Sequence, residues 1–151
     1  RGIRTLPLRV RKHAEHAQAV AEFLQGHPEI DRVIYPGLED HPQHDLARRQ
    51  ASGFGAVVTA EIVGGRRRTA QLLPHLKLWP LAESLGGAKS LLCHPASMTH
   101  AALGAEERAR IGIGDGLVRF SVGLEHADDL IDDLDRALHA TRVRRAAEVP
   151  A

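Results

Sequence analysis

Aromatic residues make up only 3% of this chain, too few for a surface on which nucleic-acid bases could stack. Cysteine is rarer still. Cys93 stands alone, so no internal disulfide can form, which fits a reducing compartment and a cytoplasmic location. Charge of neither sign dominates: the net value is +1 with histidine neutral, leaving no global field to draw in a polyanion or an anionic membrane. No apolar run reaches the roughly 20 residues of a bilayer-spanning helix, and no signal-peptide pattern precedes the first helical segment. Nucleic-acid and membrane partners are therefore not expected. Lysine is almost missing, with three against seventeen arginines, which reads as a compositional habit and not as a function.

What remains is ordinary for a folded domain. The chain has 151 residues, 43% apolar and 26% charged, enough for one domain with a real core. It opens Arg1-Gly2-Ile3-Arg4 without a methionine, which reads as an interior piece of a longer polypeptide or as a processed start.

Periodicity sets the elements. Val10, Ala14, Ala17, Ala21 and Leu24 recur at helical steps and predict a helix over 6–25, stopped by Gly26 and Pro28. His13 and His16 lie three apart on it, a surface pair with no third ligand type beside it, so no metal is expected. Arg32 to Tyr35 is a short strand closed by Pro36-Gly37, and a polar His- and Asp-bearing loop enters a short helix over 46–50. Ala56 to Val63 alternates, with Val58, Ala60 and Ile62 on a buried face. A helix over 66–76 follows, its Arg66-Arg67-Arg68 triplet read as solvated surface at the unfavourable end of the helix dipole. Ser90 to Leu92 is a second short strand, and 93–103 a loop without periodicity, of a length that in compact domains is functional or disordered. After a short helix over 105–111, Leu117 to Gly123 alternates with Arg119 and Ser121 on one face. The last helix runs over 127–139 with Ala127, Leu130, Ile131, Leu134 and Leu138 inward. Helices and strands in this order suggest an α+β fold, a two-layer sandwich with a mostly antiparallel sheet and helices on one face.

Two features point past packing. Leu81-Ala82-Glu83-Ser84-Leu85-Gly86-Gly87 sets a carboxylate and a hydroxyl between apolar residues and ends in paired glycines, which permit positive φ or a close backbone approach. It is an edge strand with a turn, or one wall of a site. Arg119, in mid-strand, either faces water or aims its planar fork at a carboxylate.

Six segments in order carry a resemblance: Arg1-Gly2-Ile3-Arg4-Thr5-Leu6; Tyr35-Pro36-Gly37-Leu38 with His41-Pro42-Gln43-His44; Ser52-Gly53-Phe54-Gly55; Leu81 to Gly87; His94-Pro95-Ala96-Ser97-Met98-Thr99-His100-Ala101; and Arg119-Phe120-Ser121-Val122-Gly123-Leu124-Glu125. Together they strongly resemble the C-terminal domain of the Cys/Met-metabolism family of pyridoxal-phosphate (PLP) enzymes, cystathionine γ-synthases and γ-lyases above all. The resemblance implies the small domain of a fold-type I PLP-dependent transferase: a linker helix over 1–25, the small domain over 26–140 and a disordered tail over 141–151. It implies that the parent enzyme, a homotetramer, uses PLP to eliminate or replace a γ-substituent of an amino acid such as a homoserine ester, cystathionine or cysteine. Arg119 and Ser84 would hold the substrate α-carboxylate, Glu83 would mark γ-chemistry near the distal end, and Thr99 would be a weaker contact. No residue is expected to be catalytic or to bind the cofactor, because Lys12, Lys77 and Lys89 lie in no setting like that of the family's Schiff-base lysine. The isolated chain is then expected to be inactive. Other readings are a sulfhydrylase or methionine γ-lyase relative, a non-catalytic assembly module, and a histidine-rich metal module.

Overall fold

In the computed structural model, which describes residues 1–142, helix α1 (Leu6–Gln25) takes the bounds its periodicity predicts, with Ala17, Ala21 and Leu24 buried as expected but the inward face turned to take in both histidines. Its buried residues are His13, His16, Ala17, Val20, Ala21 and Leu24, while Val10 is exposed. Steps of three and four from His13 make a continuous stripe, and an imidazole can sit in it because its ring is largely apolar and only its tip needs a partner. His16 finds one, its Nδ1 lying 3.3 Å from the Gly123 carbonyl. The surface pair of the sequence reading is thus part of the core.

Four strands follow: β1 (Ile30–Ile34), β2 (Val57–Ile62), β3 (Leu91–Cys93) and β4 (Leu117–Ser121). They form one sheet in the order β1-β2-β4-β3, and every pairing is antiparallel. The register puts Val58 opposite Phe120, Ala60 opposite Val118 and Leu92 opposite Phe120, one apolar face. Helices α1, α3 (Gly65–Leu72) and α5 (Ala127–Ala140) cover that face, while α2 (His44–Gln50) and α4 (Ala105–Arg110) are short connectors. Trp79 and Phe120 meet edge to face at 5.1 Å in this core. The α+β sandwich with a mostly antiparallel sheet is the observed architecture.

The other face is not simply wet. Leu117, Ser121 and Cys93 are buried there and Arg119 is half-buried, so the middle of the sheet is covered on both sides. The cover includes the segment after β3, which is pinned from within. The Nε2 of His94 lies 3.0 Å from the Asp115 carbonyl, to which it must donate, leaving Nδ1 to accept the Ser97 hydroxyl at 2.7 Å. Arg108 bonds the Leu103 carbonyl and the Asp115 carboxylate. The region read as a loop without periodicity therefore contains a 3-10 turn (Pro95–Ser97) and its own tethers.

One charged residue reverses its sequence reading, and a second, Asp133, makes a buried contact that the sequence reading did not address. Arg66 and Arg67 are exposed as expected, but Arg68 is 2% exposed. Its guanidinium pairs with Glu29 at 2.6 Å and donates to the carbonyls of Val63, Leu138 and Thr141. It lies at the wrong end of its own helix but at the right end of α5, whose last carbonyls it satisfies. Asp133, on the inward side of α5, accepts the backbone N–H groups of Lys77 and Leu78 at 2.8 and 2.9 Å. Those two residues follow the point where the helix expected over 66–76 breaks, α3 giving way to a 3-10 turn over Leu73–His75. Residues 143–151, most of the tail read as disordered, lie outside the described residues; Arg142 bonds Glu29 at 3.2 Å.

Burial also shapes titration. His13 lies below the ordinary imidazole range, chiefly through burial, with the charges of Arg9 and His16 adding to the effect and Glu125 opposing it. His27 is lowered too, again by burial first, against the pull of Asp135. Both imidazoles ordinarily titrate at 6.5. Below that value the unfolded chain takes up protons that the folded chain refuses. Stability from these groups is therefore complete above 6.5 and is lost as pH falls through their folded values. Urea midpoints are expected to drop between about pH 7 and pH 5.5, and less so in the His13→Gln, His27→Gln double variant.

Candidate functional site

β4 is the central strand of the site. Arg119 sits in its middle, flanked across the sheet by Thr59 of β2 and Cys93 of β3 on the face away from the helices. Its Nη2 donates to the carbonyls of Glu83 at 2.8 Å and Ser84 at 3.3 Å. Its Nε is buried and has no protein partner, and among the described residues no carboxylate pairs with it. A cation with an unused buried donor is costly unless something completes it. A planar guanidinium fork suits a carboxylate.

Leu81 to Gly87 is not an edge strand. Leu81 makes a single bridge to Leu92, after which residues 83–89 run as an exposed loop. The loop is fastened at its base. Ala82 N–H donates to the Leu92 carbonyl at 2.8 Å and Leu124 N–H to the Ala88 carbonyl at 2.8 Å. Ser90 donates to the Glu125 carboxylate through both backbone and hydroxyl, while its hydroxyl accepts from Gly123 N–H. Gly86 stands at φ +76°, a conformation glycine adopts without strain, and its N–H donates to the Ser121 hydroxyl at 3.1 Å.

The structure thus brings three of the four expected site residues together, though not by the atoms the sequence singled out. Glu83 and Ser84 meet Arg119 through backbone carbonyls, and their side chains are exposed. Thr99 is exposed and bonded to its neighbour His100 at 2.8 Å; no hydrogen bond among the described residues joins it to the other three. Sequence reasoning missed the Ser90–Glu125 clamp and the Gly86–Ser121 bond. The signal for the second was present, since Ser121 shares the strand face of Arg119.

Among the described residues, one cluster elsewhere has metal-ligand composition. His27, Asp135 and His139 bring ligand atoms within 4.8 Å of one another. The tautomer argues against an ion. Glu29 N–H donates to His27 Nδ1 at 3.2 Å, so the proton is on Nε2, the nitrogen that faces Asp135 at 3.4 Å. A metal-bound imidazole has the opposite arrangement, with its outer nitrogen as donor.

PLP has no fitting anchor among these residues. Lys12, Lys77 and Lys89 are all exposed, and Lys12 is paired with Glu15 at 2.6 Å.

The chain is 50% identical over 147 residues to a cystathionine γ-lyase of Bos taurus, covering 97% of this chain and 36% of that protein. It is 51% identical over 142 residues to an O-succinylhomoserine sulfhydrylase of Mycobacterium tuberculosis, covering 91% and 35%. A crystal structure of cystathionine γ-synthase from Xanthomonas oryzae pv. oryzae in complex with cystathionine superposes with a TM-score of 0.88 at 51% identity, covering 93% of this chain and 36% of that one. The chain thus spans little more than a third of the length of these relatives. Three activities at nearly equal identity also mean that overall likeness does not choose among them. The model of the Cys/Met metabolism PLP-dependent enzymes matches residues 1–139, and the chain belongs to that family.

Proposed function

We propose that this chain is the small C-terminal domain of a PLP-dependent enzyme that eliminates or replaces the γ-substituent of an amino acid, and that it supplies the substrate's α-carboxylate site. The observation that carries the reading is the Arg119 guanidinium, held by two backbone carbonyls and left with an unpartnered buried Nε. PLP, bound by another part of the enzyme, supplies the electron sink that labilises the Cα and Cβ protons. The task left to this chain is positioning: a carboxylate gripped by a fork cannot swing, so the bond to be broken stays aligned.

In this reading Arg119 takes the carboxylate with help from the exposed Ser84 hydroxyl, and Glu83 faces the distal end of the substrate, where it selects for γ-substituted chains. Thr99 contributes from the neighbouring segment. The family resemblance extends the proposal to a homotetrameric, cytoplasmic parent; among the described residues no helix is long and apolar enough to cross a membrane. The names of the relatives leave cystathionine γ-synthase, cystathionine γ-lyase and O-succinylhomoserine sulfhydrylase as the candidate activities, with methionine γ-lyase a further one.

The isolated chain is expected to be inactive. Mixed with PLP and an O-acylated homoserine it should release no acid above the background rate; turnover by this chain alone would overturn the division of labour proposed here. A second reading rests on its exposed apolar residues. Ile3 is 81% and Leu8 68% exposed, with Leu6 and Val10 also open, a surface that favours association. Under an assembly-only role, the chain would self-associate in light scattering while its full-length parent showed no transsulfuration activity.

A further inference from the structure

Ser121 is a polar residue in an apolar setting. It is 2% exposed on β4, and its neighbours across the sheet are Val57 and Leu91. An alanine would fill the same place without burying a hydroxyl. The Ser121 oxygen accepts the N–H of Gly86, at the turn of the 83–89 loop.

The position of that loop matters to the site. Its residues from Glu83 to Lys89 are exposed, so apolar packing does little to locate them. The base is fastened through Ala82, Ala88 and Ser90. Between those points, two side chains among the described residues hold the crown: Arg119, which grips the carbonyls of Glu83 and Ser84, and Ser121, which grips Gly86. Arg119 is also the residue that must turn its fork to a ligand. A tether shared with a ligand cannot by itself fix the loop in both states, whereas the Ser121 bond is independent of the guanidinium.

We infer that Ser121 is a positioning residue for substrate binding: its hydroxyl holds Gly86, and through it the Glu83–Ser84 backbone, in register with Arg119 whether or not a carboxylate is bound. The inference rests on the proposed carboxylate role of Arg119. It assigns no chemistry to Ser121, so its removal should act on binding and not on turnover.

The test uses the full-length enzyme with Ser121→Ala, Ser121→Thr, Arg119→Ala and the double variant Arg119→Ala/Ser121→Ala. One net hydrogen bond corresponds to about a fivefold effect. Ser121→Ala is expected to raise KM about fivefold with kcat within about twofold, and Ser121→Thr, which keeps the hydroxyl, to restore KM. In the Arg119→Ala background the serine change should have little further effect on KM, because the two act as a unit. Amide exchange supplies a readout apart from activity: the Gly86 N–H should exchange about fivefold faster in Ser121→Ala, and at the wild-type rate in Ser121→Thr. Unchanged KM and unchanged Gly86 exchange in Ser121→Ala would each overturn the inference, as would equal losses in kcat and KM terms from a general loss of folding that threonine fails to repair. If Arg119→Ala leaves KM unchanged, the carboxylate reading falls and takes this inference with it; if Arg119→Ala raises KM and Ser121→Ala does not, only the inference falls.

Discussion

Arg119→Ala in the full-length enzyme is expected to raise KM for the amino-acid substrate about a hundredfold, equivalent to about 2.8 kcal/mol. The size follows from what is removed: a charge-assisted, two-pronged contact in a half-covered site, where losing one partner strands the other. The guanidinium is already turned toward the loop by Glu83 and Ser84 carbonyls, so little ordering remains to be done when a ligand arrives. Arg119→Lys should recover only part of the affinity, because an ammonium keeps the charge and loses the planar fork. A fall confined to kcat, with KM unchanged, would instead place Arg119 at the reacting bond.

The largest effect on stability is expected at Arg68. Arg68→Ala strands the buried Glu29 carboxylate with Arg142 as its remaining ion-pair partner and removes the donors to the Val63, Leu138 and Thr141 carbonyls. Breaking a buried pair from one side costs about 3–5 kcal/mol, which for a chain of this length lowers Tm by about 10 °C or more. Arg66→Ala, two residues earlier on the exposed face of the same helix, should change Tm by no more than about 2 °C. Thermal melts of the two variants side by side separate the specific contact from a general effect of lowering positive charge. Equal shifts would mean that the Arg68 network contributes nothing of its own.

Arg68 also shows what sequence periodicity cannot resolve. Three adjacent arginines at a helix start look equally solvated, and nothing local distinguishes the one that reaches the far end of another helix. The same limit applies to His13 and His16. Their step of three was visible, but polarity placed them outside, because the Gly123 carbonyl that accommodates His16 is 107 residues away. Asp133 was hidden for a third reason: its partners are backbone N–H groups just after a helix break that the apolar pattern of Leu72, Leu73 and Leu76 concealed. Where burial alone decides, reading was direct. The alternation of Val58, Ala60 and Ile62 in β2 and the stripe of Leu130, Leu134 and Leu138 in α5 appear as expected.

At the site the two kinds of information divide differently. Arg119 in mid-strand was conspicuous, and the motif resemblance linked it to Glu83 and Ser84. The form of the link was not legible, since backbone carbonyls have no signature in a one-letter string. Ser121 was passed over because a serine on an alternating strand looks like surface, until the covered second face of the sheet shows that it is buried.

The central claim is that Arg119 and a substrate α-carboxylate meet. A cycle of two enzymes and two substrates measures that contact: wild type and Arg119→Ala, each with the amino-acid substrate and with its α-carboxamide analogue. Wild type should discriminate against the amide by about a hundredfold in kcat/KM, and the variant should treat the two substrates nearly alike. The same discrimination in both enzymes would show that the carboxylate is held somewhere else.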